Sequence, residues 1–364
     1  MKKIDDLLNM KAFSLGKKEK ESIFLKAMQE AIIFHYNNCE GYKKFLEGRG
    51  FDPHGKFSVS EIPFFHVDLF KTIKLVSVPE KDILRSVQSS STTSGTPSTV
   101  FLDRITSERQ RRILGSIMTS FIGPERKTLI VLDSPETVKS RNGKISSRAS
   151  GIRGMLPFSK KVFYVLNNEL KPDKNALRKA VNEMEGSVCI FGFTFLIYQF
   201  IKQAEEDAEL RSILGKLSSP LVVHTGGWKK LRDLKIAKPD FNGFVAGIFK
   251  TKPERVIDMY GMTEQLGTVY PDCEYGYKHV PVYSDIIIRG PSSFKPLENG
   301  EKGFIQLLSP VPNSYPGISI ITDDMGVVIG DDGCRCGRRG KFFLFSERAK
   351  KSEIKGCGDT LHSD

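Results

Sequence analysis

Ser90-Ser91-Thr92-Thr93-Ser94-Gly95-Thr96-Pro97-Ser98-Thr99 is a run of hydroxyls around one glycine, and its reading decides the fold. Such a run adds nothing to a hydrophobic core. It offers backbone N–H groups and hydroxyl donors converging on one point, a geometry that suits a phosphate. Taken alone, a Ser/Thr/Gly tract is more often a plain solvated loop. Two later stretches change its weight: Gly226-Gly227-Trp228 and then Tyr260-Gly261-Met262-Thr263-Glu264.

The chain around these stretches alternates strands and helices. Residues 127–133, 161–167, 188–191 and 221–224 are short apolar runs of the buried-strand kind. Residues 175–185 and 195–214 have helical periodicity between them, which predicts an α/β domain with a largely parallel sheet. In such a sheet ligands sit at the carboxyl ends of the strands. Gly226-Gly227 follows one strand-like run directly, and Tyr260-Gly261 follows another, Arg255 to Met259. Nearer the N-terminus, residues 18–36 predict an amphipathic helix with Phe24, Ala27, Met28, Ala31 and Ile32 on one face. Past residue 280 the texture becomes shorter strands with Gly and Pro turns.

In that order, the hydroxyl loop, the Gly-Gly segment and Tyr-Gly-Met-Thr-Glu resemble the nucleotide site of the adenylate-forming enzymes. Together with His35-Tyr36-Asn37-Asn38-Cys39, Ser134-Pro135-Glu136, His224-Thr225-Gly226-Gly227-Trp228-Lys229 and Lys355-Gly356-Cys357-Gly358-Asp359, they resemble one branch nearly end to end. That branch is the bacterial acyl-protein synthetases, the fatty-acid-activating subunit of the luminous bacteria's fatty acid reductase. A more distant likeness, to phenylacetate-type CoA ligases, rests on Ile321-Thr322-Asp323-Asp324 and Cys334-Arg335-Cys336-Gly337-Arg338.

The resemblance implies an α/β fold, the large N-terminal domain of an adenylate-forming enzyme. Its expected parts are a helical portion over 1–85, an α/β core over 86–345 and a short tail over 346–364. Only 16 residues follow Arg348, so the usual mobile C-terminal domain with its catalytic lysine is not expected. The implied reaction has two steps. A long-chain fatty acid and ATP give acyl-AMP and pyrophosphate, and the acyl group then moves to an enzyme cysteine, Cys357 by position in the motif. The implied partner is an acyl-protein reductase or another acyl acceptor protein. The competing readings are a phenylacetate-type CoA ligase and a nucleotide-binding relative without activity.

By the same resemblance Thr92, Thr93, Ser94, Gly95 and Thr96 hold the outer phosphates, while Ser98-Thr99 stands where relatives carry a lysine. Gly226 and Gly227 flank the adenine, with Trp228 beside it or in the core, and Tyr260 of Tyr260-Gly261 stacks on the base. Thr263 bonds the α-phosphate and Glu264 is the Mg²⁺ ligand, since a carboxylate beside a phosphate needs a metal between them. Asp324 takes the ribose hydroxyls, with Asp323 as competitor and a turn acid as the alternative. Arg348 reaches nucleotide oxygens. Lys229, Lys350, Lys351 and Lys355 are the expected stand-ins for the missing lysine. Glycines flank Cys357 and lysines precede it, which favours a mobile thiolate nucleophile. Gly192 and Phe193 are expected to line the acid pocket.

Cys273, His279, Cys334 and Cys336 form a separate pattern, three thiols and an imidazole, the donor set of a structural zinc site. Six cysteines in 364 residues do not make a secreted disulfide framework. The first residues lack an apolar signal core and no run of 18 apolar residues occurs, so the expectation is a cytoplasmic protein without a membrane span. The net charge of +12 invites a nucleic-acid reading. Its basic residues are scattered in short clusters, and an anionic small substrate needs a positive field as much, so no nucleic-acid partner is expected.

Overall fold

A computed structural model describes residues 2–89, 96–140, 144–228, 231, 234 and 236–349. They fall into two compact units: Met1–Ile117 with Met262–Tyr270 and Tyr277–Asp364, and Met118–Gly261 with Pro271–Gly276.

The second unit is built on parallel strands in the order Val256–Gly261, Leu221–Thr225, Val188–Phe193, Lys127–Leu132, Ser159–Tyr164. Every residue of Lys127–Leu132 and Val188–Phe193 is buried, because helices cover both faces, and this is why these strands read as continuous apolar runs. The periodic stretch expected over 195–214 is two helices, Thr194–Glu206 and Ala208–Leu214. Asp207 breaks it: its backbone is extended, and its carboxylate accepts from Leu210 N–H at 2.9 Å, capping the second helix. Gly192 is core packing, since a Cβ there would meet Ile197 Cγ1 at 3.0 Å and Leu132 Cβ at 3.1 Å.

The first unit holds an antiparallel sheet, Lys278–His279, Lys341–Arg348, Ser319–Asp331, Lys302–Leu308 and Asp285–Arg289 in spatial order, with Phe65–His66 added in parallel to Ser319–Asp331. The short-strand expectation fails at Ser319–Asp331, which runs 13 residues. Asp323 and Asp324 therefore lie on a strand and not on a turn. The glycine after them serves a register shift at Met325/Gly326, and a Cβ there would stand 2.8 Å from Leu344 O. No helix among the described residues is long and apolar enough to cross a membrane.

The helix Lys17–Asn38 buries Phe24, Ala27, Met28, Ala31, Ile32 and His35, at the spacing of one helical face. His35 is fully buried. Its Nε2 lies 3.1 Å from the carbonyl of Pro312, which only accepts, so Nε2 carries the proton and Nδ1 accepts from Ser77 Oγ at 2.7 Å. This neutral ring ties the helix to segments far along the chain. Burial pushes its pKa down to about 3. A histidine held neutral by folding stabilises fully above its unfolded pKa and loses that contribution as pH falls toward the folded value. Between pH 7.5 and 5.5, urea unfolding of the wild type should lose about 1.4 kcal/mol more stability than that of a His35→Gln variant. Equal losses would remove His35 as the titrating group.

Candidate active site

In the first unit, the strands Ile83–Gln88 and Thr99–Asp103 form an antiparallel hairpin whose connection is the hydroxyl stretch. Thr92, Thr93, Ser94 and Gly95 lie outside the described residues. The base of the connection is closed twice: Ser89 N–H donates to Ser98 O at 3.0 Å, and Ser98 N–H donates to Ser89 Oγ at 2.9 Å. Thr96 is exposed, whereas Ser98 is buried and its hydroxyl donates to the Glu264 carboxylate. Ser98, which stands where relatives carry a lysine, thus meets the candidate acid with a hydroxyl.

Glu264 sits in the short turn Thr263–Gln265, all three residues of which are buried. Tyr315 Oη–H donates to Glu264 O at 3.0 Å, and Gln265 Nε2 donates to Gly317 O at 2.9 Å. Position 317 must be glycine, because a Cβ there would fall 2.5 Å from Tyr315 Cε2 and 2.8 Å from Glu264 O. Burial pushes the Glu264 carboxyl above its ordinary range, while the Ser98 hydroxyl, its own amide, Lys71 and Arg348 pull the other way. A buried carboxylate with hydroxyl oxygens nearby is a hard-oxygen donor set, which fits Mg²⁺.

Two more acids belong to this unit. Asp324 lies opposite Arg348 in the sheet and accepts from Arg348 Nε at 2.9 Å. Asp323 pairs with His66 Nε2 at 2.8 Å, brought there by the register Phe65↔Ile320, His66↔Ile321. Burial pushes Asp323 up, but His66, Arg348 and Lys71 outweigh it and hold this acid below the usual carboxylate range. Asp323 is the more exposed of the pair, 24% against 6% for the side chains. No local motif marks His66 or Lys71, which reach these acids through strand pairing.

In the second unit the glycine turns end adjacent parallel strands. Gly226 and Gly227 follow Leu221–Thr225 and are exposed; Tyr260, half-buried, and Gly261 close Val256–Gly261. Gly226 has φ +77°, and a Cβ there would meet Phe193 Cδ1 at 3.2 Å. Thr194 fixes this turn: its hydroxyl lies 2.7 Å from Gly226 O, 3.3 Å from Thr225 O and 3.0 Å from His224 Nδ1. The hydroxyl donates to Gly226 O and accepts from Nδ1–H of His224. Thr225 Oγ1 donates to Met259 O at 2.7 Å, locking the two strand ends together. Trp228 packs edge-on against Tyr198 and Phe241, at 5.0 and 5.6 Å between ring centres. Lys229, Lys350, Lys351, Lys355 and Cys357 lie outside the described residues.

Of the expected metal donors, His279, Cys334 and Cys336 lie in the first unit and Cys273 in the second. Each cysteine stretch folds into a turn closed by a glycine with φ +79°: Gly276 N–H donates to Cys273 O at 2.8 Å, and Gly337 N–H to Cys334 O at 3.0 Å. Cys336 Sγ is 3.2 Å from His279 Nε2. Burial, with Arg338, pushes His279 down to about 4, so its ring is neutral and offers a lone pair at neutral pH. Three sulfurs and a neutral imidazole fit a closed tetrahedral zinc set.

The profile of the acyl-protein synthetase family, LuxE, matches residues 1–364. The chain is 27% identical over 335 residues to a long-chain-fatty-acid–luciferin-component ligase of Aliivibrio fischeri, covering 89% of this chain and 84% of that protein. It is 26% identical over 365 residues to the protein of the same name from Vibrio harveyi, with 97% and 91% covered. Among solved structures it resembles 2-hydroxyisobutyryl-CoA ligase in complex with 2-HIB-AMP and CoA, with a TM-score of 0.71. The identity there is 15%, over 93% of this chain and 76% of that one, a likeness of fold.

Replacing Thr194 by valine leaves the Gly226 carbonyl and the His224 ring without their shared hydroxyl. The expected cost is about 1–3 kcal/mol of stability in urea unfolding, with Thr194→Ser close to wild type. A valine variant as stable as the serine variant would show that the hydroxyl does not hold the turn.

Proposed function

The chain belongs to the acyl-protein synthetase family and is an enzyme of the ligase class, and we propose that it activates a long-chain fatty acid with ATP and passes the acyl group to its own Cys357. Its fold is that of the adenylate-forming ligases. The observation that carries the reading is Glu264, a buried carboxylate hydrogen-bonded to Ser98 at the closed base of the hydroxyl loop. An acid kept out of water next to a phosphate-type loop is suited to a metal–triphosphate. The names of the two curated relatives support the fatty-acid substrate.

In the first step a fatty carboxylate oxygen bonds to the α-phosphorus of ATP. The bond from that phosphorus to the bridging oxygen breaks, and pyrophosphate leaves with the electron pair. Thr92, Thr93, Ser94, Gly95 and Thr96 bind the outer phosphates, Thr263 the α-phosphate, and Asp324 and Arg348 the nucleotide's ribose and oxygens. Gly226, Gly227, Tyr260 and Gly261 receive the adenine. Glu264 would hold Mg²⁺, which supplies charge neutralisation on the phosphates. In the second step the Cys357 thiolate attacks the acyl carbonyl and AMP leaves, giving a thioester and leaving the thiol's proton with solvent. A separate acyl acceptor protein, such as a reductase, would then take the acyl group.

Zinc on Cys273, His279, Cys334 and Cys336 would be structural, since the four donors leave no open position. Free thiols at Cys273, Cys334 and Cys336 support a cytoplasmic setting.

Incubation with ATP, Mg²⁺ and labelled tetradecanoic acid should give hydroxylamine-sensitive label on the wild type and none on Cys357→Ser, with acyl-AMP formed by both. Release of acyl-CoA on adding CoA, with no labelled protein, would instead favour a CoA ligase. No acyl-AMP from any chain length would overturn the enzyme reading. Glu264→Gln should lower acid-dependent ATP–pyrophosphate exchange roughly 100-fold or more. Metal analysis of protein prepared without chelator should find about one zinc per chain, and Cys334→Ser should lose it together with several degrees of melting temperature. A metal-free wild type of unchanged stability would remove the zinc assignment.

A further inference from the structure

We propose that Lys71 is a substrate-binding residue of this site, its ammonium meeting the phosphates of the nucleotide beside Glu264; the inference rests on the adenylation reading above. Lys71 lies in the single-turn helix Leu69–Thr72, directly after the strand Phe65–His66 that pairs beside the two aspartates. Val67 N–H continues that pairing to Ile321 O at 3.0 Å. The neighbouring Phe70 is buried, with its ring 5.6 Å from Phe65 and edge-on at 6.0 Å to Tyr315. Tyr315 is the residue whose hydroxyl holds the backbone of Glu264. The turn that carries Lys71 is thus pinned to the same framework as the buried acid.

Charge gives the second line of argument. Lys71 acts electrostatically on both Glu264 and Asp323. A triphosphate brought against Glu264, Asp323 and Asp324 adds negative charge to negative charge, and a nearby cation must offset it. Arg348 is already bonded to the buried Asp324. Lys71 is differently engaged, since its ion-pair partner is Asp68, three residues earlier and 52% exposed. Half-exposed pairs of this kind contribute little, so exchanging Asp68 for a phosphate costs little. Lys71 is itself 23% exposed at its side chain, within reach of a ligand.

In the first step the lysine moves no proton. It neutralises charge on the phosphate oxygens as the α-phosphorus bonds to the acid and pyrophosphate departs. It also supplies, from the helix Leu69–Thr72, the cation that Ser98-Thr99 lacks at the end of the loop.

The test is calorimetric binding of Mg·ATP and of adenosine to the full chain, for wild type, Lys71→Gln and Lys71→Arg, beside acid-dependent ATP–pyrophosphate exchange. The glutamine variant should bind Mg·ATP roughly 10- to 100-fold more weakly and bind adenosine as the wild type does. Its exchange rate should fall in step, and arginine should restore both to within a few-fold. Unchanged Mg·ATP binding in Lys71→Gln, or an equal loss for adenosine, would overturn the assignment. A wild type that binds Mg·ATP without exchanging pyrophosphate would overturn the activity reading alone, with Lys71 still judged by binding. One that binds no nucleotide would overturn both.

Discussion

A carboxylate stays out of water only where donors and positive charge face it, and Glu264 imposes that condition on everything around it. Its head is met by the Ser98 hydroxyl. Its main chain is held by Tyr315, and Gly317 must lack a side chain for that ring to fit. The next residue, Gln265, is bonded to the carbonyls of Gly317 and Leu307. The acid is therefore held from both ends. Burial raises its pKa only against the pull of Ser98, Lys71 and Arg348, and each of these comes from a different part of the first unit.

The second unit organises its turn by a different means. Here the fixed point is neutral: one hydroxyl, on Thr194, shared between a carbonyl of the diglycine turn and the ring of His224. Thr225 performs the parallel task for the neighbouring strand end. Glycine at 226 is required twice over, by its positive φ and by the Phe193 ring beneath it. The turn is thus exposed yet fixed from its buried side.

The parallel strands were legible because burial on both faces writes them as unbroken apolar runs, and the Lys17–Asn38 helix because one buried face writes a 3.6-residue period. Asp207 hid a helix break inside a periodic stretch, since a capping acid looks like any polar surface residue. The strand Ser319–Asp331 was hidden by its own glycines, which serve register shifts and close contacts as readily as turns. At the site, motif order pointed to Glu264, Asp324 and the glycine turns. His66 and Asp323, by contrast, are 257 residues apart and meet through a two-residue strand without any alternation to read. Lys71 and Tyr315 enter by the same route, through pairing and packing and not through local pattern. The four metal-type residues were legible from donor chemistry, and the glycines beside the cysteines close the turns that carry them.

The reciprocal bonds between Ser89 and Ser98 have a consequence for how such a chain can diverge. They fasten the mouth of the hydroxyl stretch to the hairpin whatever lies between them. The entropy of closing a loop rises only with the logarithm of its length, about 0.6 kcal/mol per doubling. Insertions or deletions between these two serines would then leave the hairpin register and the contact to Glu264 intact. The two serines therefore answer for the hairpin and for the acid, and the residues between them answer only for the ligand they are proposed to bind.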